Sequence, residues 1–238
     1  MALLGGIDLG SLKTLSYVAW LEDGEFLLDV YTPTLEAPLP ASPSGWPPSF
    51  LAIDAPQGLP ARGERARRAD LEAQAPTKVL PADREALAGF RLYAGLVRAG
   101  IEVFWSIHEQ ELASILGLVP LPDAGTTVCE TYPRYVFKQL FPGVPIPSKR
   151  NDPFAYVETV WPRIQSLGYA CPSVLRPGVD HLDAMLCALA AEACLEADGA
   201  LPPGTAGVPP VVDFEGRILR EGYIVAPGRR WSQNATTS

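Results

Sequence analysis

The chain has 238 residues, 47% of them hydrophobic and 19% charged, with 25 prolines. That composition excludes intrinsic disorder over most of the length and, because proline breaks helix interiors, a helical bundle or coiled coil. Lys and Arg number 19 against 27 Asp and Glu, and the resulting charge of −8 excludes a protein that coats nucleic acid nonspecifically, leaving only a local basic groove for such a partner.

In chain order, residues 3–9, 15–21 and 25–31 read as three strands, the last two joined at Asp23-Gly24, a strong hairpin signal. Residues 32–48 carry Pro33, Pro38, Pro40, Pro43, Pro47 and Pro48 and predict an extended connection. Residues 50–53 are a short apolar run of the kind that forms a buried strand, ending in Asp54-Ala55-Pro56. Residues 62–75 are charged and read as a loop or exposed helix. The apolar spacing of Leu87, Phe90, Leu92 and Leu96 predicts a helix over 83–98, closed by Gly100. A strand over 102–106, a helix over 109–116 and a strand over 126–130 follow. An amphipathic helix comes after Pro133, another spans 154–167 with Pro162 in its middle, and an Ala- and Leu-rich helix spans 181–195. Residues 211–214 and 218–225 read as a closing hairpin around Glu215-Gly216.

Three antiparallel strands followed by strand and helix in alternation predict an α/β fold: a mixed sheet that begins with a meander and carries helices on its faces. One domain over 1–231 with a polar tail over 232–238 accounts for the length. Cys129, Cys171, Cys187 and Cys194 form no C-x-x-C pair and lie in apolar surroundings, which predicts buried free thiols rather than a zinc site or disulfides. No run approaches the roughly 18 apolar residues of a membrane span, and the N-terminus carries no basic and apolar leader, so the expectation is a cytoplasmic protein with no membrane partner. Asn234-Ala235-Thr236 matches a glycosylation sequon that such a protein has no route to use.

Three of the strands end in a carboxylate: Asp8 in Gly6-Ile7-Asp8-Leu9-Gly10, Asp54 in Ile53-Asp54-Ala55-Pro56, and Glu130 in Cys129-Glu130-Thr131. In open α/β sheets the crevice outside the strand ends is the usual ligand site, so acids placed there meet in space. Clustered carboxylates repel and take up protons unless a cation neutralises them, and oxygen ligands point to Mg²⁺ or Mn²⁺. Asp180 and Asp183 open the last long helix at i, i+3 and share a face. Each acid also has a plainer reading: a turn former at Asp8 and Asp54, an exposed strand residue at Glu130, and a helix N-cap and N3 carboxylate at Asp180 and Asp183.

These segments, with Glu130-Thr131-Tyr132-Pro133, Asp180-His181-Leu182-Asp183-Ala184-Met185 and Glu215-Gly216-Arg217-Ile218, resemble in content and order the domain of unknown function family 429, described as predicted nucleases of ribonuclease-H-like fold. The resemblance runs from about residue 3 to residue 226. The helix segment is also similar to the last acidic motif of RuvC-type resolvases. The resemblance implies that Asp8 bridges metal ions, that Asp54 and Asp183 ligate them, that Glu130 belongs to the catalytic set and that Asp180 is a substitute ligand. The loop after Asp54 does not align with the family pattern, and substrate specificity does not transfer.

The function expected is a divalent-metal-dependent nuclease that hydrolyses phosphodiester bonds with two ions about 4 Å apart. Arg62, Arg65, Arg67 and Arg68 are the candidate phosphate contacts, against the plainer reading of a solvated helix face, and Lys149-Arg150 is a second cationic pair. His108 and His181 read as structural, with His181 also placed to orient water beside Asp183. Two alternatives stand beside this. One is a nucleotide-dependent phosphotransferase of the actin and sugar-kinase type, whose first strand resembles Gly-Ile-Asp-Leu-Gly. The other is a noncatalytic binding module on the same fold.

Overall fold

The computed structural model describes residues 2–77, 79–91, 93–174 and 176–228. Leu92, the expected tail over 232–238 and the sequon at Asn234 lie outside the described residues. The meander is β1 (Leu4–Asp8), β2 (Ser16–Glu22) and β3 (Glu25–Tyr31), each antiparallel to the next. β4 (Phe50–Asp54) joins β1 in parallel, and β6 (Thr127–Thr131) joins β4 in parallel. The far edge of β6 is shared by the two-residue β5 (Ser114–Ile115) and by β8 (Ile218–Val225), which pairs antiparallel with β7 (Ala206–Asp213). The eight strands form one mixed sheet in the order β3-β2-β1-β4-β6-β8-β7, with β5 beside β6.

Strand parity divides the interior into two layers, because successive side chains point to opposite faces. Leu4, Ala52 and Cys129 face α3 (Pro133–Leu140), α4 (Pro153–Ser166) and α5 (Val179–Glu196). Ile7, Leu51, Ile53 and Val128 face α2 (Ala94–Glu109). The short α1 (Arg68–Glu72) lies against β7 and β8. α5 is Ala- and Leu-rich and buried along nearly its whole length, as a helix packed between a sheet and two further helices must be. Gly6 lets it come close: a Cβ there would stand 2.1 Å from the Ala184 carbonyl oxygen and 2.1 Å from the Ala188 nitrogen.

Several expected elements are replaced. Residues 83–98 are not a continuous helix: a 3-10 turn at Ala86–Ala88 precedes α2, which starts at Ala94 and runs through the expected strand 102–106. Gly100 lies inside α2 rather than after it, because a Cβ would meet the Pro56 carbonyl oxygen at 2.5 Å. Its job is close helix–sheet packing, and the apolar run 101–107 is a helix buried against the sheet, which short-range periodicity cannot tell from a strand. The helix expected over 109–116 is instead the end of α2 and the short β5. α4 continues across Pro162, and Asp152 caps its start by accepting from the Ala155 N–H at 2.9 Å. β7 begins five residues before the expected 211, with Pro209 and Pro210 at its register shift, where an edge strand tolerates proline. All four cysteines are free and buried, and among the described residues no helix is long and apolar enough to cross a membrane.

Candidate metal centre

Parallel pairing brings the first two acids together. Asp8 and Asp54 are the last residues of β1 and β4 and stand opposite one another in register, so neighbouring strands about 4.8 Å apart carry both carboxylates at one edge and on one face. That face is the one α5 covers, and Asp183, in the second turn of the helix, reaches down to them. One ligand oxygen from each of Asp8, Asp54 and Asp183 lies within 4.8 Å of the others. Asp180 stands at the rim of this group. α5 begins at Gly178 as N-cap, two residues before Asp180, and no side chain caps it. Neither aspartate therefore holds the capping position that their spacing allowed.

The electrostatics are those of a site short of positive charge. Burial, followed by the charge of Asp183, pushes Asp54 up to about 8 and Asp8 well above the ordinary carboxylate range, with Lys149 acting against both shifts. Burial also raises Asp183, against the pull of Lys149 and a hydrogen bond from the Tyr156 hydroxyl. Lys149 reaches in from the loop between α3 and α4. Its Nζ lies 3.4 Å from Asp8 Oδ2 and 3.4 Å from Asp180 Oδ1, and it donates to Asp183 Oδ2. Burial disfavours this ammonium, but Asp183 and Asp8 outweigh it and hold Lys149 above its usual range. Three convergent hard-oxygen donors with raised proton affinity suit Mg²⁺ or Mn²⁺, since a divalent ion supplies the charge that protons otherwise would.

Glu130 does not join the trio. It pairs with Ile53, one register step before the Asp54–Thr131 pair, and so points to the opposite face. There it accepts from Arg67 Nη1 and Nη2, both at 2.6 Å, and from the Gln57 N–H at 2.8 Å. Asp70 completes this buried group, receiving Arg67 Nε at 2.7 Å and the Thr77 hydroxyl at 2.8 Å. Arg67 is fully buried, which corrects its expected role as a phosphate contact: its guanidinium is spent on Glu130 and Asp70. Arg62 is exposed and paired with Asp213 and Glu215, Arg68 is exposed and paired with Glu72, and Arg65 is exposed.

A cavity of about 570 Å³ opens over the trio, within the range of small-molecule sites. Its cations are Lys149, Arg150 and Arg134, and Tyr93, Tyr132 and Tyr156 are among its walls; none of the four arginines expected to bind phosphate lines it. The basic pair Lys149-Arg150 lines this cavity, and the arginines of the loop after Asp54 do not. Tyr156 had no signal in the sequence, since nothing in its spacing links it to Asp183. His181 packs edge-on against Tyr17 with ring centres 4.9 Å apart, and His108 packs edge-on against Trp105 at 5.5 Å, both contacts of a structural kind.

Residues 6–206 match a family model described as "Protein of unknown function (DUF429)". The chain belongs to this family. The DUF429 match includes Asp8, Asp54, Glu130, Lys149, Asp180 and Asp183, and it ends at the first residue of β7, so Glu215-Gly216-Arg217-Ile218 lies beyond it. No curated protein and no solved structure matches the chain.

Proposed function

We propose that this DUF429 chain is a divalent-metal-dependent hydrolase of phosphodiester bonds, built on a sheet of the ribonuclease-H type. The observation that carries the reading is the meeting of Asp8, Asp54 and Asp183 at one sheet edge, on the floor of a cavity whose rim holds Lys149, Arg134 and Arg150. A divalent ion bound there supplies Lewis-acid polarisation of a phosphoryl oxygen and activation of water at neutral pH. The chain's own residues do the rest. Asp8, Asp54 and Asp183 hold the ion, with Tyr156 fixing the Asp183 carboxylate through its hydroxyl. Arg134 and Arg150 attract a phosphodiester to a molecule whose overall charge repels one.

The test is hydrolysis of bis-p-nitrophenyl phosphate, single-stranded DNA and RNA by the purified chain with Mn²⁺ or Mg²⁺. Metal-dependent turnover is expected, falling below about 1% in Asp8→Asn, which removes a ligand charge with little change in volume. Asp8→Asn activity equal to wild type, in protein with an unchanged circular dichroism spectrum, removes the trio from the reaction.

A further inference from the structure

The contacts of Lys149 are one-sided. Its ammonium fills the space between Asp8, Asp180 and Asp183, touching all three. Asp54 belongs to the same trio but is influenced only by burial and neighbouring charge, with no hydrogen bond to its carboxylate from any described residue. Asp8 and Asp54 therefore stand side by side at the cavity, and the ammonium pairs with Asp8, Asp180 and Asp183 while making no ion pair with Asp54.

We infer that Lys149 is a built-in second cation: the centre takes a single divalent ion on Asp8, Asp54 and Asp183, and the ammonium holds the seat on Asp8, Asp180 and Asp183 that a second ion would use. This rests on the metal-dependent reading above and fixes its stoichiometry, replacing the two ions expected from the sequence with one ion and one lysine. The physical ground is exclusion. A divalent ion entering that seat meets a unit positive charge within a few ångströms, well inside the Debye length of about 8 Å at physiological salt, so the repulsion persists although Lys149 is partly exposed. The ammonium is also tethered, and a tether of this kind keeps its group at an effective concentration in the millimolar range or above, so a free ion must displace it. The tether is short and braced. Pro145 and Pro147 stiffen the loop, Ile146 is buried in the core beside α4, and Arg134 donates to the Ile146 carbonyl at 3.2 Å. The three N–H donors of the ammonium match the three carboxylates it touches.

The test counts Mn²⁺ on the full-length chain by electron paramagnetic resonance, comparing wild type with Lys149→Met and Lys149→Arg. The expected result is one Mn²⁺ per wild-type chain and one per Lys149→Arg chain. Lys149→Met, which removes the charge and keeps the length, gains a second Mn²⁺ dipolar-coupled to the first, or binds the first about tenfold or more tightly once the nearby unit charge is gone. Two Mn²⁺ on the wild-type chain overturn the inference and leave the metal-dependent reading standing, whereas none on the wild-type chain overturns both. A folded Lys149→Met that binds one Mn²⁺ with wild-type affinity also overturns the inference. If Lys149→Met does not fold, the counts on wild type and Lys149→Arg decide it, since a second ion on either is incompatible with an occupied seat.

Discussion

Glu130 and Thr131 are neighbours in sequence, yet Thr131 pairs with Asp54 on the face of the acid trio and Glu130 pairs with Ile53 on the other. A single step of strand parity thus separates a position beside the acid trio from one in a buried ion pair. On its own face Glu130 meets the Arg67 guanidinium, and the pair with Asp70 is removed from water. Burial raises the Glu130 carboxyl above its ordinary range against the pull of Arg67, so the ion pair and the Gln57 N–H are what keep a charged group tolerable there. Arg67→Ala leaves two buried carboxylates without countercharge and is expected to cost about 3–5 kcal/mol, read as a lower urea midpoint. Mn²⁺ affinity of the molecules that remain folded is expected to stay near wild type, because the Arg67 guanidinium contacts Glu130 and Asp70 and none of the trio. A large loss of Mn²⁺ affinity without loss of stability instead gives Glu130 and Arg67 a part in metal binding.

At the scale of elements, the centre is made by three backbones: two parallel strands in register and a helix laid across them. The depth of α5 is set at Gly6, whose missing side chain leaves the space that the buried α5 backbone at Ala184 and Ala188 occupies. Gly6→Ala is expected to cost about 1–3 kcal/mol through overpacking. It lifts α5 away from β1 and with it Asp183 from Asp8, so Mn²⁺ affinity falls together with the denaturation midpoint. Loss of stability with wild-type Mn²⁺ affinity shows that the strain is relieved elsewhere than at α5. The loop before α4 is the second positioning device, delivering Lys149 to the trio while Asp152, three residues later, caps the helix.

Across the whole molecule, the raised carboxylates tie stability to pH and to metal. Asp8, Asp54 and Asp183 hold protons in the folded chain at pH values where the unfolded chain has released them. The unfolded state therefore binds fewer protons between about pH 4 and 8, and stability falls as pH rises through that window. Lys149, raised above its usual range, contributes stability across the same window and loses it only at higher pH. Asp213, held well below its ordinary range by hydrogen bonds from Arg62 and Arg220, works in the opposite direction and loses its contribution only below about pH 4. The metal-free protein is thus expected to melt about 5 °C or more lower at pH 8 than at pH 5, since 1 kcal/mol shifts the midpoint by about 2–4 °C at this size. Mn²⁺ is expected to raise the midpoint more at pH 8 than at pH 5, because at low pH it must displace protons. Calorimetry at both pH values, with and without Mn²⁺, reads this directly. An equal metal-induced rise at both leaves the trio's protonation unconnected to metal binding.

The sequence by itself determined the strands of the meander, β4, β6, the helices after Pro133 and over 181–195, and the acids at their ends, because alternation, proline boundaries and Ala- and Leu-rich runs are local signals. It also contained the family, since the order of the acidic segments is a property of the chain. It did not distinguish the helix over 101–107 from a strand, because a segment buried on most sides loses the period that marks either one. Only the tertiary structure decided which acids meet. Asp8 and Asp54 are brought together by parallel register, Glu130 is sent to Arg67 by one step of strand parity, and Lys149 and Tyr156 reach Asp183 across 34 and 27 residues. Distances of that kind are set by how elements pack, and no spacing along the chain encodes them.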